Sequence, residues 1–493
     1  MGKKQASAAG AFTGRKKLGY AFGIASESLL YNMYYTYFLT FLVQVVKISP
    51  QFAGVVIFIS IAWDAITDPI LGNISDRPGV NKQKLMLKSL LPMCVLFVLA
   101  WSTLGSTLFS GSEALRIVLY TVISMGIWLF YTIYTIPYYS VIAELTEDYD
   151  ERTRIRSVSS FINAFCIGLG NILPALVDVK GEGISFLHVA LLIAVLALAA
   201  GAVCCVSLRG VYQVRQPKPG EHVSRGLGTR DTLRSFAEIL KLKPVKWFLL
   251  FVFFFLAGNS MLQSNLSYMV VYAIGTEYND GIAIVIAVLV VTLAATVPLV
   301  TKIAEKTDRR TTCLIFISVA ALGMVIPRLV GMDVSVGEFK VMLVVMPFLL
   351  GLGLSTFWTF FYSMSYDIVE LDEFVNGKNG ERRESIITSF PQLVQKFGSA
   401  TGILAQGLVL GAYGYNTTAD SGSDTFAVIT DKHIIDGMAN VSTVIPAAIL
   451  VVSLVFLLLY PFTRKNYNRL MEQLRLKREG KPYSAEGLEK LVR

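Results

Sequence analysis

Asp64 and Asp68 stand four residues apart in Ile61-Ala-Trp-Asp-Ala-Ile-Thr-Asp-Pro69, within an apolar run from about Phe52 to Ile74. The run is long enough to cross a bilayer. An ionised side chain at bilayer depth costs roughly 2.5–3.5 kcal/mol on insertion scales, so two on one helix demand a purpose. At i and i+4 their Cβ atoms lie about 5–6 Å apart on one face. Their oxygens can therefore converge on one hard cation or share a proton.

Other spans carry polar groups at similar depth. Glu27 sits about ten residues into the first, followed by Asn32 and by Tyr31, Tyr34, Tyr35 and Tyr37; its depth points to a cavity-facing role. Trp128, Thr132, Thr135 and Tyr139 recur at i, i+4, i+7 and i+11 and share a helix face. Two hydroxyls between two aromatic plates suit a ring-bearing or sugar-like ligand, and the same face equally suits packing on neighbouring helices. Pro137 frees a backbone carbonyl nearby. Ser389, Gln392, Lys396 and Ser399 form a polar stripe around Pro391, and Lys396 is the one cation far from a span end. A buried Lys needs an anionic partner or loses its proton. Asp64, Asp68 and Glu27 are the deep carboxylates expected to answer it, in a pairing that changes when a cation arrives or leaves.

The elements that carry these residues are long apolar helices. Of the 493 residues, 54% are hydrophobic and 16% charged, against about 25% charged in a soluble chain. Twelve spans are expected, at about 18–46, 52–75, 86–109, 114–145, 157–179, 185–208, 246–276, 281–304, 312–331, 338–366, 385–413 and 438–463. The net charge of +9 is distributed by loop: 37 of the 44 Lys and Arg fall in connections on the side of the termini. Six (Lys47, Arg116, Lys180, Arg328, Lys340 and Lys432) fall on the other side. That asymmetry places both termini in the cytoplasm and makes the basic charge a matter of topology, not a nucleic-acid footprint. The first apolar stretch is too long and too interrupted by polar residues for a cleaved signal. The five cysteines lie in or beside spans and the three histidines are scattered, so neither a disulfide framework nor a His-based metal centre is expected, and the metal ligands expected are Asp64 and Asp68, for Na+.

A hydrophilic connection over 209–245 divides the spans six and six, giving a cytoplasmic N-terminal tail (1–17), bundles over 18–208 and 246–463, and a cytoplasmic C-terminal tail (464–493). Two such halves suggest parallel-related bundles, as in major facilitator transporters. Asp76-Arg77 after the second span and Asp308-Arg309-Arg310 after the eighth mark a weak internal repeat. Beyond the tenth span, Asp367, Glu370, Asp372 and Glu373 form an acidic rim. With Arg152, Arg154 and Arg156 it makes a candidate cytoplasmic latch, and Asp76, Arg77, Arg152, Asp308, Arg309, Asp367 and Glu373 are the gate residues expected. The tail alternates charge with Leu470, Leu474 and Leu488. It is expected as an amphipathic helix or a loose segment and is assigned no transport chemistry.

Trp63-Asp64-Ala65-x-x-Asp68-Pro69, Tyr131-Thr132-Ile133-x-x-Ile136-Pro137, Asp367-Ile-Val-Glu-x-x-Glu373 and Lys396-x-Gly398-Ser399-Ala400 resemble the glycoside–pentoside–hexuronide:cation symporters, whose type member is melibiose permease. The resemblance covers about 18–463 and implies a major facilitator fold with cation-coupled transport. It implies a cation site of Asp64, Asp68 and Thr132, the family's span-11 lysine at Lys396, and a sugar-contacting tryptophan at Trp358. The sequence departs from the family where a span-4 acid reads Thr135, a span-1 Lys-Asp pair reads Glu27-Ser28, and a span-5 arginine reads Ser160. Three ligands for sugar hydroxyls are thus replaced while the acidic pair is kept. Sodium-dependent lysophospholipid symporters share the distant fold and the acidic pair, which keeps an amphiphilic solute open.

The expectation is an all-α membrane protein of twelve transmembrane helices in two six-helix bundles, multi-pass in the cell membrane and monomeric. Its function is symport of Na+ or H+ with a small organic solute (a glycoside, pentoside or hexuronide, or alternatively a lysolipid) by alternating access. The substrate residues expected are Glu27, Trp128, Thr135, Tyr139, Trp358 and Gln392. No enzyme signature is visible: there is no Ser-His-Asp set, His-rich metal motif or glycine-rich phosphate loop. No cofactor is expected beyond the coupling ion.

Overall fold

The computed structural model describes residues 13–75, 79–145, 149–177, 184–212, 240–376, 384–415, 429, 431–488 and 491; within these, side chains at 69, 73, 142–145, 149–154, 156–157, 376 and 384–389 are left aside. The described residues form two compact units, 13–212 and 240–491.

The first unit comprises α1 (Gly14–Ala21), α2 (Gly23–Gln44), α3 (Pro50–Ser75), α4 (Lys82–Ala100), α5 (Glu113–Leu145), α6 (Tyr149–Ala175) and α7 (Phe186–Ser207). The second comprises α8 (Lys243–Ser264), α9 (Tyr278–Lys306), α10 (Arg309–Gly323), α11 (Met342–Asn376), α12 (Glu384–Ala412), α13 (Lys432–Ser442), α14 (Val444–Leu459) and α15 (Arg464–Arg478). A two-rung hairpin of β1 (Ser335–Val336) and β2 (Phe339–Lys340) interrupts the helices of the second unit. Among the described residues, ten helices are long and apolar enough to cross a membrane. The long helices α2 and α12 fall outside those ten, because their polar stripes dilute their apolar content.

Each unit repeats one packing scheme. In the first, α2 packs on α6 and α7, α3 on α5, and α4 on α5 and α7. In the second, α8 packs on α12 and on α14, α9 on α11, and α10 on α11 and α14. Numbered within its own half, every pair has its counterpart, so the repeat suggested by two short Asp-Arg motifs is a repeat of helix packing.

Local chemistry sets the helix ends. Pro50 opens α3 at the first helical position, where its missing N–H costs no bond. Ser49, just before it, donates its backbone N–H to Glu113 Oε1 at 2.7 Å and its hydroxyl to the same oxygen at 2.5 Å. That joins the starts of α3 and α5. Asp308 caps α10 by accepting from the Thr311 N–H at 2.8 Å.

The seventh expected span is interrupted. After α8 the chain runs through Leu266–Tyr268 and a π-helical turn, Met269–Ile274, to Gly275 at φ 72°. The twelfth is divided at Thr443. Broken helices at membrane depth need internal partners. Here Asn265 Nδ2 donates to Ser442 Oγ at 2.7 Å, Gln406 Nε2 donates to Asn265 Oδ1 at 3.0 Å, and Ser264 bonds Gln406. All four side chains are buried. Just above this network α8 and α12 make backbone contact. A Cβ at Gly398 would lie 2.6 Å from the Phe253 carbonyl oxygen, and one at Gly402 would overlap that of Ala257. This is the small-residue spacing that lets membrane helices approach closely.

The tenth expected span runs ten residues further than its apolar stretch, to Asn376. The tail explains why. Arg478 donates to Glu373 Oε1 and Oε2 at 2.7 and 2.6 Å, and Lys477 Nζ donates to the Glu373 and Phe374 carbonyls at 3.0 and 2.7 Å. Cations at a helix C-terminus satisfy its last carbonyls and oppose its dipole. Leu470, Leu474 and Leu488 are buried. The tail is therefore a docked helix, and its bond to Glu373 holds the Arg478 guanidinium above its ordinary pKa.

Two outcomes follow from this packing. Gly402→Leu should destabilise the second unit by about 1–3 kcal/mol, the range of overpacking, seen as a lower melting temperature in detergent. Arg478→Ala should speed amide exchange over 464–478 by roughly tenfold, a charged hydrogen bond discounted for the exposure of Arg478. Arg475→Ala, which breaks only the surface pair with Glu479, should leave that exchange unchanged.

Candidate cation and solute site

The sharpest convergence of polar atoms in the first unit lies between α3 and α5. Thr132 Oγ1 is 2.6 Å from Asp64 Oδ1 and 2.9 Å from Asp68 Oδ1. Asp64 is 1% exposed and Thr132 1%, while Asp68 is half-buried. One hydroxyl has one proton to donate, so it serves one of the two oxygens at a time. A proton or a monovalent metal cation held at this point would offset one of the two negative charges of the ionised pair. Thr67, missed by sequence reasoning, is buried one turn along and donates its hydroxyl to the Asp64 carbonyl at 3.1 Å. Among the described residues no group of three or more His, Cys, Asp and Glu is placed to hold a metal ion. The set is two carboxylates and a hydroxyl.

Glu27 faces the same region from α2, where its Oε1 accepts from the Tyr139 hydroxyl at 2.6 Å. Tyr139 is 38% exposed, and Thr135 is buried one turn from Thr132. Trp128 is 2% exposed and enclosed by rings: its centroid lies 5.0 Å from Tyr131, 5.1 Å from Tyr34, 5.7 Å from Tyr35 and 6.1 Å from Tyr31. The stripe of four on α5 thus divides, with Trp128 in an aromatic cage and Tyr139 at an open edge. Asn32 and Asn171, bonded at 3.4 Å, tie α2 to α6, and Thr36 donates to Asn171 Oδ1 at 2.7 Å.

In the second unit Trp358 is half-buried on α11 among Phe357, Phe361 and Tyr362. On α12, Lys396 is half-buried and Gln392 exposed. The side chain of Ser389 lies outside the described residues. The expected gate residues separate. Asp76 and Arg77 lie outside the described residues, as do the side chains of Arg152, Arg154 and Arg156. Asp308 is the cap of α10. Arg309 donates to Asp367 Oδ1 and Oδ2 at 2.9 and 3.0 Å and to Ser363 Oγ at 2.5 Å; Tyr467 of the tail lies 5.3 Å from its guanidinium. Glu373 meets Arg478. Both acids therefore have basic partners inside their own unit. Arg478 and Lys477 were missed because their charge pattern reads as a solvated tail.

With this geometry in place, the likeness to known proteins can be stated. The family described as MFS/sugar transport protein matches residues 19–464. An uncharacterised symporter of Synechocystis is 24% identical, across 94% of this chain and 97% of its own length. The glucuronide carrier protein homolog of Escherichia coli is 21% identical, across 93% and 95%. The sodium-dependent lysophosphatidylcholine symporter 1-A of Danio rerio is 21% identical, across 89% and 84%. In fold, the chain resembles a bacterial homolog of the human lysosomal transporter Spinster at a TM-score of 0.63 and 14% identity, covering 95% of this chain and 99% of that one. The nucleoside transporter NupG gives 0.60 at 13% identity, covering 91% and 99%. The chain belongs to the MFS sugar-transport family: it is a multi-pass membrane transporter of the major facilitator fold, not an enzyme.

Proposed function

We propose that the protein is a twelve-span symporter that couples the inward movement of Na+ or H+ to uptake of a glycoside, pentoside or hexuronide by alternating access. In this reading it works as a monomer in the cell membrane with both termini in the cytoplasm. The observation that carries it is the approach of Thr132 Oγ1 to both carboxylates, at 2.6 and 2.9 Å. Two acids sharing one neutral donor at membrane depth form a site whose double negative charge a single cation halves. A loaded site carries less uncancelled charge through the change of conformation than an unloaded one and so opposes it less. That difference is the coupling. The basic loops of one membrane side support the orientation.

Glu27, Thr135 and Tyr139 are assigned to the solute in the first unit, and Trp358 and Gln392 in the second. Carboxylate, hydroxyls and aromatic faces together suit a polyol ring, whose apolar face stacks while its rim is hydrogen-bonded. Lys396 enters as the second unit's own charge, adjusting to the loss or arrival of the cation. Two observations favour an amphiphile as the alternative solute. Phe161 and Phe165 of α6 are 79% and 65% exposed, next to Ser160 where the related sugar symporters carry an arginine. A lysophosphatidylcholine symporter is also among the relatives.

Uptake into proteoliposomes tests the reading, with glycosides, pentosides, hexuronides and lysolipids offered under a sodium gradient, a proton gradient or none. One solute class should accumulate under one gradient. Thr132→Val should weaken the apparent cation affinity roughly 10- to 100-fold, the worth of a hydrogen bond to a charged group. Asp64→Asn and Asp68→Asn should abolish accumulation while leaving gradient-free exchange measurable. Full gradient-driven accumulation by Asp68→Asn would sink the scheme.

A further inference from the structure

A groove in the first unit serves none of the chemistry above. It encloses about 350 Å³ and is lined by Leu173 and Leu176 at the end of α6 and by Ile184, His188, Val189 and Leu192 at the start of α7. Both helices pack on α2. α6 stops at Ala175, where the Leu176 and Val177 N–H groups turn back to the Leu173 and Pro174 carbonyls at 3.1 and 3.2 Å. The volume falls within the roughly 300–1,000 Å³ of small-molecule sites. Its lining is apolar apart from one imidazole.

The depth of the groove follows from α7. His188, Leu192, Val195, Ala199, Val203 and Val206 are all exposed, and their spacing of four, three, four, four and three puts them on one side of the helix. Five of the six are apolar. The strip runs over 18 residues, about 27 Å, close to the ~30 Å of a bilayer's hydrocarbon. Arg209, exposed just beyond Val206, marks one interface, so His188 marks the other. In a multi-pass membrane protein such a strip is the contact with acyl chains. The groove continues it, because His188 and Leu192 belong to both.

His188 also has a defined tautomer. Its Nδ1 accepts from the Ser185 backbone N–H at 3.2 Å and lies 2.8 Å from the Ser185 hydroxyl. A backbone N–H only donates, so the proton of the neutral ring sits on Nε2. One hydrogen-bond donor therefore stands over an apolar trough, at the depth where lipid ester and phosphate oxygens, which accept, meet the hydrocarbon.

We propose that this groove binds a phospholipid of the leaflet at the His188 end. One acyl chain lies between α6 and α7 against Leu173, Leu176 and Val189, and an ester or phosphate oxygen of the same lipid accepts from His188 Nε2. The chain fills the space the two helices leave and braces the turn of α6 that follows Asn171. That residue takes the Thr36 hydroxyl on Oδ1 and the Tyr37 hydroxyl on its carbonyl, both at 2.7 Å, so the lipid steadies the joint between α6 and α2.

The test is photolabelling of the full-length protein in phosphatidylcholine nanodiscs that contain a trace of phosphatidylcholine with a diazirine in one acyl chain. Adducts are located by peptide mass spectrometry. In the wild type they should concentrate on the groove residues over Val195 to Val206 of the same strip. Leu176→Trp, which fills the groove, should remove that excess, and Val195→Trp, on the strip but outside the groove, should leave it intact. His188→Leu should reduce it roughly 2- to 10-fold, the worth of one hydrogen bond. Leu192→Trp, from the opposite wall, repeats the comparison should Leu176→Trp not fold. Even labelling along α7 would mean passing bilayer lipid only, and a groove free of label would mean that another part of the protein covers it. Either result overturns the site, as does an excess that survives Leu176→Trp or His188→Leu. Loss of the label to free phosphocholine would overturn it too, since the groove would then take a soluble headgroup and not a lipid.

Discussion

Everything of consequence in the first unit depends on two carboxylates held against one hydroxyl in an apolar bundle. Asp64 is almost wholly enclosed, and an ionised group at such depth is tolerated only with charge or hydrogen bonds close by. The rest of the unit supplies that surround. Ser49 and Glu113 join the starts of α3 and α5, so the two helices that carry the acids and the threonine are tied at one end. The tyrosines of α2 enclose Trp128 and so fix the row of α5 side chains that faces α3.

The spans were legible because the apolar runs are long and the basic loops are one-sided. The acidic pair was legible because its spacing has meaning on a helix and its cost has none elsewhere. Thr132 was found by its stripe and by resemblance, since a threonine alone carries no signal. Other features hide for a common reason: they are made by partners distant in sequence. Nothing between Asn265 and Ile274 breaks a helix by composition. The break is sustained by Gln406 and Ser442, more than a hundred residues away. The same holds for α11, whose acidic end reads as a solvated rim until Arg478 and Lys477 are seen to cover it.

That cover alters the meaning of the acidic cluster. Asp367 and Glu373 are 6% and 4% exposed, which excludes a freely solvated rim. Arg309 and Arg478 neutralise them within one unit, and a buried acid losing such a partner is costly. The tail therefore belongs to the fold of the second unit. Any latch that engages these acids from elsewhere has to compete with bidentate bonds already made.

The repeated packing scheme makes the asymmetry of the chemistry informative. Counterpart helices pack alike in the two units, yet the acidic pair of α3 has only Ile, Ala, Leu, Val and Thr around the middle of α9, its counterpart. The duplicated frame is what packing alone requires, since each helix buries the same kind of face. The polar departures from it, on α2, α3 and α5 in one unit and on α12 in the other, are what packing does not require. Two of those helices are the long ones that fail to reach the apolar content of a membrane span. A bundle that gives up hydropathy on selected helices while keeping its scaffold intact has confined the energetic cost of its buried polar groups to a few elements.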